Sequence, residues 1–190
     1  MNIGIYGGSF NPIHNGHIAL ARQILNRLSL DEVWMMVSPQ NPLKQTSSDL
    51  LDDSKRWEMT CVALQNEPGL RACDLEFHLP KPSYTWHTLQ TLSQENPEHT
   101  FTLIIGADNW QLFPRWYHSD DILRNYPIAV YPRKGTPIRV EDLPKGVTLV
   151  DMERYDVSST DIRRRIREGL PFEHLLPEPI HRMAQKYYGA

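Results

Sequence analysis

Four short runs rich in branched and aromatic residues, IGIY, VWMMV, FTLII and PIAVY, alternate with longer stretches whose apolar residues recur at helical spacing. Few folds accommodate that order. Strand, helix and strand bury their apolar faces together when the strands lie parallel in one sheet and the helices cover it, so the chain is read as α/β with a parallel sheet. At 190 residues it can bury one substantial core, and residues 1–190 are expected to form a single domain.

Periodicity places the helices. Ile18, Ala21, Leu25 and Leu28 mark one face of a first helix. DDSKRWEMTCVAL signals a second, with N-cap oxygens from Asp52, Asp53 and Ser54 and a shared face of Trp57, Cys61 and Leu64. FTLIIGADN reads as a buried strand, and its exit at residues 106–109 lies where open α/β sheets bind ligands. A strand VTLV, a capped helix SSTDIRRRIREGL ending at Gly169 and a helix near PIHRMAQKYY complete the order, with no internal repeat.

Composition narrows the function. A formal charge of −3 provides no global basic field of the kind that duplex binding needs, so no nucleic-acid partner is expected and any phosphate must be held locally. Cys61 and Cys73 lack the spacing of a zinc ribbon or redox pair and are expected to be buried thiols in a reducing compartment. No run approaches the roughly 18 apolar residues of a membrane span. A soluble, cytoplasmic protein with no membrane partner is expected.

The opening loop, GIYGGSFNPIHNGH at residues 4–17, carries the chemistry. Gly7 and Gly8, expected just after the first strand, allow a ligand to approach bare backbone amides. His14 and His17, either side of Gly16, would project to one side of a helix's first turn, where the amide-rich end adds partial positive charge. The pattern is neither GxxxxGK[ST] nor GxGxxG. Two histidines at a helix start can be simple caps or surface residues, and a zinc pair would need a third ligand that no spacing supplies. Position after the first strand favours phosphate binding.

GGSFNPIHNGH resembles the HxGH loop of the nucleotidylyltransferase superfamily, and VSSTDIRRRI resembles its second signature, ISSTxIR. KPSYTWHTL, IIGADNWQLFPRW and YPRKG extend the similarity, in order and over nearly the whole chain, to the bacterial nicotinate mononucleotide adenylyltransferase family. The resemblance implies a Rossmann-like doubly wound sheet, ATP as adenylyl donor, nicotinate mononucleotide as acceptor, Mg²⁺ with ATP, and pyrophosphate as leaving group. No protein metal-ligand set is expected, and a homo-oligomer is left open.

By the same resemblance, His14, His17 and Arg163 are the expected catalytic residues, and Gly7, Gly8, Ser9, Phe10, Gly16, Gly106, Asp108, Ser158, Ser159 and Thr160 complete the expected ATP site. Asp108 would bond the ribose, and the three hydroxyl residues would cap a helix carrying Arg163 in its first turn. Asn11, Lys44, Tyr84, Thr85, Trp116, Tyr117 and Arg133 form the expected acceptor site, with amides around Tyr84 and Thr85 on the nicotinate carboxylate and Trp116 stacked on the pyridine. Asn11 stands where the family usually has aspartate, and NPLK replaces PPHK, leaving Leu43 in place of a polar side chain. Arg164, Arg165 and Arg167 read as a solvated face, and Trp86 and Trp110 as ordinary aromatics. The segment 38–49 is long and rich in Pro and Ser, which motivates the hypothesis of a lid there and leaves closure over substrate open.

Rival readings are weaker. Nicotinamide mononucleotide, phosphopantetheine or a cytidylyl donor is compatible with both signatures; the middle region fits an aromatic nucleotide better than the flexible thiol chain of phosphopantetheine, and nicotinamide mononucleotide stays open. A non-catalytic nucleotide or RNA module would more readily have lost a histidine or Arg163. A dehydrogenase fails on loop spacing and lacks a ribose-binding acid about 20 residues on, since Asp31 and Glu32 sit at a strand entrance.

Overall fold

The computed structural model describes residues 1–39 and 49–189. Its strands are β1 (Asn2–Gly8), β2 (Glu32–Val37), β3 (Leu70–Cys73), β4 (Thr100–Gly106), β5 (Ile128–Tyr131) and β6 (Val147–Leu149), all pairing in parallel. They lie in the order β3-β2-β1-β4-β5-β6. The chain winds outward from β1 to β3, returns to the centre, and winds outward again from β4 to β6. This is the expected Rossmann-like doubly wound α/β sheet. The reversal opens a crevice at the carboxyl ends of β1 and β4, where such sheets take their ligands.

Helices α1 (Asn15–Arg27), α2 (Asp53–Leu64), α3 (Thr85–Glu95), α4 (Ala107–Leu112), α5 (Ser119–Asn125), α6 (Ser159–Glu168) and α7 (His181–Tyr188) cover the two faces. Side-chain alternation along each strand decides which core a residue joins. Ile3, Ile5, Trp34, Met36, Leu103 and Ile105 meet α3, α4 and α5. Tyr6, Val33, Met35, Val37 and Ile104 meet α1, α2, α6 and α7. Each fully buried side chain of this size contributes about 2 kcal/mol of transfer free energy.

Several expectations shift. Gly7 and Gly8 lie inside β1, paired with Met36 and Val37, and do not follow it. The buried stripe of α1 runs through Ile18, Ala21 and Ile24, with Leu25 and Leu28 half-buried at its margin. The inward face of α2 is Arg56, Met59, Thr60, Ala63 and Leu64; Trp57 and Cys61 are only half-buried, and Asp52 caps without a side-chain bond. One residue of offset turns a helix by about 100°. Cys73 is half-buried as well, so neither thiol is a core residue. Among the described residues no helix is long and apolar enough to cross a membrane.

Candidate active site

The two histidines cap one another. His14 is the extended N-cap of α1, its ring nitrogen Nδ1 accepts the His17 backbone N–H at 3.2 Å, and His17 Nδ1 accepts the His14 N–H at 3.1 Å. This is a capping box built from imidazoles, satisfying two helix-end donors that would otherwise be orphaned. The rings stack 3.6 Å apart at 15°. Gly16 permits this, since a Cβ there would sit 2.9 Å from His14 Cε1 and 3.1 Å from Val157 Cβ.

Accepting through Nδ1 fixes the tautomer. An imidazole with an occupied Nδ1 lone pair is neutral only with its proton on Nε2, so both residues carry their donors on Nε2. Burial lowers the His14 pKa to about 4, with the Arg133 charge acting in the same direction. Burial, then His14, then Arg133, hold His17 well below its ordinary value. Both rings are therefore neutral at pH 7.

That shift makes stability pH-dependent. Free histidine binds its proton near pH 6.5, while folded His14 resists it until about pH 4. Between those values the unfolded chain holds more protons, so falling pH favours unfolding and the contribution is complete only above about pH 6.5. We expect His14 to account for a loss on the order of 3 kcal/mol by pH 4. Urea unfolding at stepped pH checks this against His14→Asn, which keeps an N-cap oxygen and cannot titrate. The variant's acid slope should be flatter; an identical slope would assign the loss elsewhere.

The rest of the loop is held from beneath. Phe10 adopts a left-handed φ of 44°, uncommon for a non-glycine, and its buried ring packs edge-on against Tyr6 at 5.6 Å and His17 at 5.0 Å. Only its backbone is left for a ligand. Asn11 is 5% exposed; its Oδ1 accepts from the Tyr188 hydroxyl at 2.7 Å and the Leu51 N–H at 3.2 Å, and its Nδ2 donates to the Asp49 carbonyl at 2.9 Å. The amide expected at the acceptor is thus committed to protein partners.

Helix α6 leans on the same loop. Ser158 is its N-cap and accepts the Asp161 N–H, while the Ser159 hydroxyl donates to the Pro12 carbonyl at 2.9 Å. Arg163 lies in the second turn, not the first. It donates through Nη1 to the Asn11 carbonyl at 2.7 Å and through Nη2 to the Thr160 hydroxyl at 3.4 Å, leaving its buried Nε without a partner. Arg164 and Arg165 pair with Asp161 on the solvated side.

Across the crevice, Asp108 lies in the first turn of α4 and stands 3.6 Å from Arg133, which follows β5. The fold brings together two residues expected in different subsites. A Cβ on Gly106 would sit 2.6 Å from the Asp108 carboxylate and 3.0 Å from the Tyr131 ring. Beneath them the buried Tyr6 and Tyr131 rings pack edge-on, 6.0 Å apart, and burial raises both phenol pKa values. Among the described residues no cluster of three or more His, Cys, Asp or Glu is placed to hold a metal ion.

Tyr84 is the N-cap of α3 and Thr85 its first residue. The Tyr84 ring lies 4.9 Å from that of Tyr117, and His87 joins the group at 5.2 Å from Tyr117. Trp116 packs beside Phe113 at 5.5 Å with its indole N–H buried and unpartnered. Trp110 stacks on Phe113, and Trp86 on His118, as ordinary aromatics. Lys44, Leu43 and most of the candidate lid segment, residues 40–48, lie outside the described residues.

The model of the cytidylyltransferase-like family matches residues 5–165. A Bacteroides thetaiotaomicron protein named "probable nicotinate-nucleotide adenylyltransferase" is 43% identical over 187 residues, covering 98% of this chain and 92% of its own. A Cytophaga hutchinsonii protein of the same name is 40% identical over 190 residues, covering 99% and 98%. The chain belongs to the nicotinate-nucleotide adenylyltransferase family. The family's fold recurs in the nicotinic acid mononucleotide adenylyltransferase of Plasmodium falciparum complexed with NaAD, at a TM-score of 0.78 and 21% identity over 98% of this chain and 93% of that one.

Four residues that support the candidate site carried little or no signal in the sequence. Arg56, Tyr6, Tyr131 and Tyr188 all lie beneath the loop or the crevice floor. Only the tyrosines carried a signal, since each falls on the inward side of its strand or helix.

Proposed function

We infer that this chain transfers the adenylyl group of ATP to nicotinate mononucleotide, giving nicotinate adenine dinucleotide and pyrophosphate. Membership of the family supports the reaction. The observation that carries the residue assignment is the mutually capped histidine pair, two neutral imidazoles presenting Nε2–H donors beside the crevice.

The acceptor's phosphate is already an anion at neutral pH, so no general base is required. One of its oxygens forms a bond to the α-phosphorus as the bond from that phosphorus to the pyrophosphate oxygen breaks. The work left to the protein is alignment and stabilisation of charge on the transferring group. We assign His14 and His17 as donors to phosphate oxygens, with His17 nearest the α-phosphate. Neutral donors suit the task because their pKa values are depressed by burial and do not depend on a proton from solution. Arg163 offers its unpartnered Nε, and Arg133 its charge, from either side. Asp108 is assigned to the ATP ribose.

Mg²⁺ prefers oxygen ligands and keeps several waters, so it is expected to enter on the triphosphate as part of the substrate, neutralising charge there. The start of α3 offers amides at Tyr84 and Thr85 for the nicotinate carboxylate, and the Trp116 and Tyr117 rings offer a flat surface for the pyridine. Residues 1–190 act as one unit in this reading.

Trp116→Ala should raise the KM for nicotinate mononucleotide about tenfold, the scale of one aromatic contact, with KM for ATP little changed. Steady-state kinetics with each substrate varied would show it; equal losses for both would indicate a folding defect. The reaction itself is tested by identifying the dinucleotide product and pyrophosphate with nicotinate mononucleotide, nicotinamide mononucleotide and phosphopantetheine side by side. Preference for the nicotinate acceptor supports the assignment, and preference for either alternative contradicts it.

A further inference from the structure

Arg56 has no exposed surface. It projects inward from α2, and its guanidinium reaches three separate segments: Nη1 donates to the Ser9 carbonyl at 2.6 Å and the Ser38 carbonyl at 2.8 Å, and Nε donates to the Leu51 carbonyl at 2.8 Å. Nη2 meets the half-exposed Asp53 carboxylate at 2.5 Å. Burying a guanidinium costs stability unless its hydrogen bonds are complete, and a packed apolar side chain would often hold a core as well. Stability alone therefore does not explain a charge in this place.

Two of the three carbonyls follow directly on the ends of adjacent strands. Ser9 opens the histidine-bearing loop directly after β1. Ser38 follows β2, and its N–H donates to the Gly8 carbonyl at 2.9 Å, beside the Arg56 contact. The Ser38 hydroxyl in turn faces the buried carboxylate of Glu76. Glu76 also accepts from the Thr88 hydroxyl at 2.9 Å, one turn into α3 behind Tyr84 and Thr85. Buried polar contacts thus run from the nucleotide loop, through Arg56 and Ser38, to the acceptor-facing helix.

We propose that Arg56 is a positioning residue for adenylyl transfer, fixing the nucleotide loop relative to the start of α3 through Ser9 and Ser38. The proposal rests on the reaction assigned above. Lysine brings three donors from one point and cannot span three carbonyls as a planar fork does. Arg56→Lys should therefore bind each substrate nearly normally and hold them misaligned.

The expected result is a kcat reduced about 30-fold, in the range that small misplacements produce, with both KM values within about threefold of wild type. Asp53→Asn, which removes the carboxylate partner from a half-exposed position, should reduce kcat about threefold with the same KM pattern, and it decides the matter if Arg56→Lys does not fold. A merely structural arginine would lower the melting temperature and leave kcat per folded molecule unchanged; that outcome overturns the proposal. Failure of the assigned reaction is distinguishable, because wild type would then give no dinucleotide. In that case amide hydrogen exchange decides. Faster exchange at residues 10–17 in the variant, with sheet protection retained, supports the role of Arg56, and unchanged exchange there overturns it.

Discussion

His17→Ala should lower kcat by about 10²- to 10³-fold, the cost of losing one preorganised donor to a developing oxyanion. Folding should suffer far less. The ring accepts the His14 backbone N–H, and losing half of a capping box costs about 1 kcal/mol. His17→Gln separates the two roles, because glutamine at this helical position can return the cap while its amide cannot reproduce the imidazole donor. Steady-state turnover and thermal unfolding of both variants would show stability recovered and activity not. Near-normal turnover in His17→Ala would remove the residue from phosphate transfer.

The second large effect concerns folding. Asn11→Leu removes three hydrogen bonds in one change, those to the Asp49 carbonyl, the Leu51 N–H and the Tyr188 hydroxyl. The Tyr188 bond is buried and the other two are part-buried; leaving a buried group unsatisfied costs about 1–3 kcal/mol, so a total of about 2 kcal/mol is expected, most of it from Tyr188. Chemical denaturation measures it. A loss below about 1 kcal/mol, the ordinary effect of a substitution, would mean that these groups find other partners and that Asn11 does not tie the loop to α7.

This burial also qualifies a contrast visible in the sequence. Where the family usually carries aspartate, Asn11 uses both its donor and its acceptor on backbone and hydroxyl groups. A carboxylate would accept from Leu51 and Tyr188 but would face the Asp49 carbonyl without a proton to offer. The amide suits the partners this chain provides.

The sheet was largely legible because parallel strands buried on both faces are continuous apolar runs, as in VWMMV and FTLII. LRAC was not, being four residues long on the sheet edge with an exposed arginine. The face of α2 was misjudged for a related reason. Apolar periodicity selected Trp57 and Cys61, whereas the inward side is set by Arg56, two of whose carbonyl partners, Ser9 and Ser38, come from distant segments. In the site, the HNGH spacing exposed the histidine pair but not its tautomer, which depends on both Nδ1 atoms being turned back to the backbone. The meeting of Asp108 with Arg133 follows from strand order, which puts the ends of β4 and β5 side by side.

In the proposed reaction the phosphates are met by two neutral imidazoles with their protons on Nε2. Nitrogen-15 spectra of the His14 and His17 rings at pH 7, with the free enzyme and with a non-hydrolysable ATP analogue, test it most directly. A bare Nδ1 and a protonated Nε2 are expected for both rings in the free enzyme, with the Nε2 signals moving on nucleotide binding. Protonation of either Nδ1 in the free enzyme, or Nε2 signals indifferent to the nucleotide, would contradict it.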